Sequence, residues 1–179
     1  MKIAIVGKIR SGKNVVGDYF VERYGCEQMA FADEIGTVIS YYFPEAYDEG
    51  KPRFHYQQIG QFFRTIDPNV WIKAFDRNYL TALADGVMDF VVTDLRQPNE
   101  YQYLKENGFT IVKVEADSEV RLERMRKEKD TFRMEDLHHE TESHVDVIPY
   151  DYLVTNNTTL EDLEDQLKFI ADELRKGDF

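Results

Sequence analysis

Cysteine is nearly absent from the chain. Cys26 stands alone among 179 residues, so no internal disulfide can form, which suits a reducing compartment. Apolar runs are short, and none approaches the 18 or so residues of a membrane-spanning helix. No charged and apolar leader opens the sequence, so a cytoplasmic setting is expected, and the N-x-T sequons at Asn156 and Asn157 are set aside. Basic residues are the minority, 22 against 34 acidic, and a net charge of −12 argues against a broad nucleic-acid surface. The N-K-x-D pattern of a guanine-specific switch is missing. A zinc motif fails on spacing, because His139 and His144 are five apart and H-E-x-x-H needs four to bring both onto one helical face.

What is present is the composition of one folded domain, 42% hydrophobic and 13% aromatic, with no repeat and no linker. Its most informative stretch comes first. The apolar run from Lys2 to Val6 reads as a strand, and Gly7-Lys-Ile-Arg-Ser-Gly12-Lys13-Asn14 follows it directly. This is the phosphate-loop pattern G-x-x-x-x-G-K-[ST] with Asn in the last place, and residues 15 to 24 have helical character. Gly7 and Gly12 permit a tight turn and a close approach to polyphosphate. The loop N–H groups form an anion nest at the positive end of a helix dipole. Lys13 adds a point charge for the β- and γ-phosphates. Asn14 removes the hydroxyl that ordinarily reaches Mg²⁺, and Ser11 is a candidate to replace it.

The remainder alternates. Strands are expected near 27–31, 90–93, 110–115 and 151–155, and helices over about 34–43, 55–65, 68–84, 98–107, from 117 or 118 onward, and after Thr158. Pro68 and Pro98 suit first helical positions, Gly108 suits a helix end, and Thr158-x-x-Glu161 reads as a capping box. Five strands alternating with helices predict an α/β fold with a parallel sheet. The two helices between the second and third strands break the rhythm and look like an insertion over the strand edge. Asp94 and Arg96 fall at the carboxyl end of an apolar strand, where parallel sheets bind ligands. Asp33 reads equally as an N-cap or a substrate contact. Trp71 reads as core or as a platform for a base. The arginines from Arg121 to Arg133 read as an exposed, ion-paired helix face or as a binding surface.

These residues resemble the phage-type deoxynucleoside monophosphate kinases, within the wider nucleoside monophosphate kinase group. The resemblance runs through the loop Gly7 to Lys13, Phe31-Ala-Asp33, Ile59-Gly-Gln-Phe-Phe-Arg64, Trp71, Val92-Thr-Asp94-Leu-Arg96-Gln-Pro-Asn99-Glu100, His139-Glu-Thr-Glu142 and Asn156. It implies a single three-layer P-loop kinase domain with a five-stranded parallel sheet, an inserted acceptor-binding helical pair over about 33–85 and a lid over about 118–142. It implies ATP and Mg²⁺ as cofactors, and a nucleotide acceptor rather than a nucleic acid polymer or a membrane. ATP would meet Gly7, Arg10, Ser11, Gly12, Lys13, Asn14, Val15 and Asn156. The acceptor would meet Asp33, Arg64, Trp71, Asp94, Arg96, Glu100 and Glu142. Asp94 would hold Mg²⁺ directly or through water, and Arg121, Arg124 and Arg133 would close over the transferred phosphoryl group beside Lys13 and Asp94.

The expected reaction is ATP plus a deoxynucleoside monophosphate giving ADP and the diphosphate. Another small-molecule P-loop kinase, resembling dephospho-coenzyme A kinase, is the alternative within the fold. A non-catalytic nucleotide-binding protein is the alternative outside it. The aromatic helices in the middle of the chain offer a surface for a homodimer.

Overall fold

The structure is a computed structural model that describes residues 1–48, 50–127 and 140–176, without the side chains of residues 140–143. The elements in chain order are β1 (Lys2–Val6), α1 (Lys13–Tyr24), β2 (Glu27–Met29), α2 (Asp33–Tyr42), a short 3-10 turn (Pro44–Tyr47), α3 (Arg53–Ile66), α4 (Val70–Ala84), β3 (Phe90–Leu95), α5 (Pro98–Glu106), β4 (Thr110–Glu115), α6 (Ser118–Lys127), α7 (Glu140–Val147), β5 (Tyr152–Thr155) and α8 (Leu160–Lys176). The chain forms two compact units, one from Met1–Gln28 with everything from Met88 on, the other from Met29–Val87. Among the described residues no helix is long and apolar enough to cross a membrane.

The first unit holds an all-parallel five-stranded sheet in the order β2-β3-β1-β4-β5, flanked by helices in a three-layer α/β arrangement. The central strands are mostly apolar because both faces are covered. Ile3 and Ile5 of β1 pack with Val16 and Phe20 of α1 and with Leu163, Leu167 and Ile170 of α8. Ala4 and Val6, which alternate with them, are fully buried as well. Strand order reverses at β1, and the carboxyl end of a strand at such a reversal is where α/β sheets bind ligands.

Two local features shape that edge. Ala4 pairs with Val92 but Val6 pairs with Leu95, so β3 carries one extra residue at Thr93–Asp94. A bulge of this kind breaks the regular alternation of side chains, and it falls at Thr93–Asp94 near the strand's end. Gly17 of α1 lies against the same spot, and a Cβ there would come within 2.6 Å of Thr93 Cγ2.

The second unit is helical. Its core is Ile35, Ile39, Trp71 and Ala74, with Tyr56, Ile59 and Phe63 leaning on it. Trp71 is 4% exposed and its indole N–H donates to Gly60 O at 3.0 Å. Burying an aromatic of this size while satisfying its one donor is a packing role.

Several boundaries differ from expectation for local reasons. α4 begins at Val70, not at Pro68, because Asp67 accepts from the Asn69 N–H and makes Asp67–Asn69 a turn. Asp33 is the first residue of α2 and not its cap; its carboxylate instead accepts from Ala30 N at 2.8 Å. The cap of α8 is the reciprocal pair Thr159 and Asp162, one residue later than the Thr158 box.

Gly17→Ala tests the close approach of α1 to β3. Alanine gains roughly 1 kcal/mol of helix propensity, but overpacking against a stiff β-branched neighbour costs about 1–3 kcal/mol. Urea denaturation should therefore show net destabilisation, and adding Thr93→Ser, which removes the obstructing methyl, should restore the lost stability.

Candidate active site

The residues after β1 turn back on themselves to start α1. Gly12 occupies the N-cap position with φ 101°, a left-handed conformation suited to glycine. A second constraint is steric: a Cβ on Gly12 would lie 2.1 Å from Asn156 Nδ2. Gly7 is glycine for a different reason, since a Cβ there would lie 2.5 Å from Val114 O of β4 and 2.7 Å from Ser11 Oγ. Arg10 also has positive φ, 63°, which costs a non-glycine residue roughly 1–3 kcal/mol. Such strain persists where surrounding contacts enforce it.

The Lys13 ammonium donates to Gly7 O at 2.6 Å and Lys8 O at 2.9 Å, which keeps its charge at the loop. Arg121 donates to Ile9 O at 3.3 Å. Arg124 donates through Nη1 to Arg10 O at 3.3 Å and through Nη2 to Asn156 O and Oδ1 at 3.0 and 3.1 Å. Asn156, 8% exposed, donates from Nδ2 to Ser11 O at 2.9 Å and from its backbone N–H to Glu115 O at 2.8 Å. Lys8 pairs with Asp146 of α7 at 2.8 Å.

The loop borders a cleft of about 510 Å³ whose wall includes Lys8, Ser11, Lys113, Asp117, Arg121 and Asp146. Ser11 is fully buried, and its Oγ has no hydrogen-bond partner among the described residues; the same holds for Arg121 Nε. Asn14 and Val15 are exposed on the first turn of α1.

At the end of β3, Arg96 and Gln97 lead into α5. Glu100 is 3% exposed, and its Oε2 accepts from the N–H groups of Arg96 and Gln97, both at 2.9 Å. This is a capping box with Gln97 as the cap. Glu100, expected at the acceptor, thus fixes the backbone that carries Arg96. Gln97 also meets His144 Nδ1 of α7 at 3.1 Å, a contact with no motif to announce it in the sequence.

The sheet unit therefore gathers Lys13, Arg121, Arg124 and Asn156 at the loop, and puts Asp94 on β3, Arg96 on the turn after it and Glu100 in the first turn of α5. The helical unit holds Asp33, exposed; Trp71, in the core; and Arg64, half-buried in α3 with its guanidinium near Gly60. A hollow of about 670 Å³ in the helical unit is walled by Gly36, Thr37, Ser40, Tyr41, Tyr47 and Tyr56, with no charged side chain among the described residues that line it. Burial, and then the hydrogen bond with Tyr47, hold the Tyr56 hydroxyl above the ordinary tyrosine range, so it stays a neutral donor. Arg133 and His139 lie outside the described residues, as does the side chain of Glu142.

Mg²⁺ fits this donor set only partly. Asp94 can supply one carboxylate, but Ser11 is fully buried within the loop and is not placed to replace the hydroxyl missing at the exposed Asn14. Mg²⁺ keeps several waters and binds through one or two carboxylates and phosphate oxygens, so Asp94 with waters is an adequate protein contribution.

A parallel α/β sheet with this loop between β1 and α1 defines a P-loop kinase-type protein, a class of ATP-dependent phosphotransferases. The chain belongs to the deoxynucleotide monophosphate kinase family, which matches residues 57–167. That match begins past the phosphate loop, so the loop stands on its own geometry. A curated relative, the uncharacterized protein ORF76 of Ictalurid herpesvirus 1 (strain Auburn), is 27% identical over 106 residues, 59% of this chain and 44% of that protein. The chain thus spans less than half the length of that relative. Among solved structures, a sugar kinase from Janibacter sp. HTCC2649 superposes with a TM-score of 0.59 at 12% identity, covering 95% of this chain and 94% of that one. Shikimate kinase from Aquifex aeolicus gives 0.54 at 18%, covering 99% and 98%. Dephospho-CoA kinase from Campylobacter jejuni gives 0.54 at 15%, covering all of both chains. At these identities the likeness is one of fold.

Glu100→Ala leaves two partly buried backbone N–H groups without their acceptor, at a total cost of about 1–3 kcal/mol. The melting temperature should drop by several degrees, and Glu100→Gln, whose amide oxygen can still accept, should lose less.

Proposed function

We propose that the chain transfers the γ-phosphoryl group of ATP to a deoxynucleoside monophosphate. The observation that carries the reading is the pairing of a phosphate loop and its lysine with an Asp-x-Arg strand end in a chain of this family. Lys13 and the loop N–H groups bind the donor phosphates. Asp94 holds Mg²⁺, which when bound supplies charge neutralisation between donor and acceptor. Arg96, its backbone fixed by Glu100, binds the acceptor phosphate in the two-pronged manner that guanidinium allows. Arg64 is a separate candidate for acceptor phosphate, and Asp33 for an acceptor contact. Trp71 acts only as support from the core.

The chemistry asks little else of the protein. The attacking group is already a phosphate oxygen, so no strong general base is needed. The work is alignment and the neutralisation of repulsion between two anions. The viral source of the matched relative and the phage-type resemblance together support a role in supplying deoxynucleotides.

A second reading keeps the phosphotransfer and changes the acceptor. It is favoured by the solved structures that share the fold, which are named for sugar, shikimate and dephospho-CoA acceptors. A coupled ADP-release assay with ATP and Mg²⁺ separates the two readings. It is run against dAMP, dGMP, dCMP, dTMP, their ribose forms, shikimate and dephospho-CoA. Turnover with one or a few deoxynucleotides is expected, falling at least about a hundredfold in Lys13→Ala and in Arg96→Ala. Turnover only on a non-nucleotide acceptor would establish the second reading. ATP binding with no turnover on any acceptor would leave a nucleotide-binding protein.

A further inference from the structure

Every carbonyl of the phosphate loop has a donor. Gly7 O and Lys8 O accept from Lys13 Nζ, Ile9 O from Arg121, Arg10 O from Arg124, Ser11 O from Asn156 and Arg124, and Gly12 O from the Val16 N–H. Lys13 belongs to the loop and Val16 to the helix it starts. The other three donors come from far along the chain, two from α6 and one from the turn after β5.

We propose that Arg121, Arg124 and Asn156 are positioning residues that hold the phosphate loop in its anion-binding conformation. In this role α6 and the turn after β5 build the donor site from behind. The proposal rests on the reading of the loop as a nucleotide site, and it replaces the expectation that Arg121 and Arg124 reach the transferred phosphoryl group.

The argument begins with the planar peptide. In each trans unit the C=O and the following N–H point in opposite directions. Drawing Ile9 O toward Arg121 turns the Arg10 N–H the other way, and drawing Ser11 O toward Asn156 does the same for the Gly12 N–H. Side chains that capture the carbonyls therefore set the direction of the donors an anion would meet. The capture also accounts for Arg10, whose left-handed backbone persists with its carbonyl bound to Arg124.

Arginine and asparagine suit these places. Arg124 must reach the loop with one terminal nitrogen and Asn156 with the other, which a planar guanidinium does and an ammonium does not. Asn156 must accept from Arg124 while donating to Ser11 O, and a carboxamide does both. Its backbone N–H is tied to Glu115 O at the end of β4, so the clamp is referenced to the sheet. The same amide fills the space that a side chain on Gly12 would need.

The test is ADP affinity by titration calorimetry, which needs no acceptor. Arg124→Ala and Asn156→Ala should each weaken ADP by about tenfold or more, through lost preorganisation. Arg124→Lys should recover only part of the loss. The double variant should be no more than about threefold worse than the weaker single one, since both act through one loop. Arg126→Ala, an exposed arginine on the same helix, should bind as the parent does. With a working acceptor, the ATP KM should rise by a like factor, while kcat stays within about threefold.

Unchanged ADP affinity in Arg124→Ala with kcat down a hundredfold would overturn the proposal and return Arg124 to the reacting phosphates. Multiplicative losses in the double variant would also overturn it. If Arg124→Ala fails to fold, Arg124→Lys and Asn156→Asp carry the comparison. Absence of ADP binding in the parent protein would instead remove the nucleotide reading on which the clamp depends, a result distinct from unaltered binding in the variants.

Discussion

The site depends on the absence of a side chain at Gly12. The amide of Asn156 stands where a Cβ would be, and through that contact the loop, the turn after β5 and α6 are locked together. Glycine here serves backbone freedom and close packing at once. The sheet supplies the frame: β1 delivers the loop, β4 presents Glu115 O to Asn156, and β3, with its bulge at Thr93–Asp94, ends beside β1. Each is a consequence of parallel strands ending together where the strand order reverses.

The electrostatics are local. An acidic chain concentrates arginines and a lysine where the loop carbonyls are, and spends acidic residues on holding them. Asp146 pairs with Lys8, and Glu100 orders the backbone at Arg96. The net charge favours solubility, and the cleft beside the loop is lined by both signs, Lys8, Lys113 and Arg121 with Glu115, Asp117, Glu119 and Asp146. Residues that look free to contact ligand in a linear sequence are in several cases committed to structure: Glu100, Trp71 and Asn156 are all nine-tenths buried or more.

Much of this was legible in the sequence. Short apolar runs alternating with helical periods pointed to five parallel strands, most plainly β1 and β3, whose two covered faces leave little polar register to interrupt them. The phosphate loop was visible because its two glycines and lysine are fixed by geometry. Helix starts were less legible: Asp67 and Thr159 were decided by side-chain hydrogen bonds spanning two and three residues, which compete at nearly equal energy with the neighbouring choice. Long-range partners were not legible. Nothing in Arg124 or Asn156 alone says that they meet 32 residues apart in sequence across the back of a loop. The one available signal was that Asn156 closes a strand next to a helix start, the same position in the fold as the loop itself.

The most direct test of the central claim follows the phosphorus. The parent protein is incubated with ATP, Mg²⁺ and each deoxynucleoside monophosphate in turn, and the mixture is read by phosphorus NMR. Phosphotransfer predicts a new β-phosphate resonance of the deoxynucleoside diphosphate, growing in step with that of ADP and without free phosphate. Loss of the ATP γ signal to inorganic phosphate alone, or no change with any of these acceptors, would contradict it.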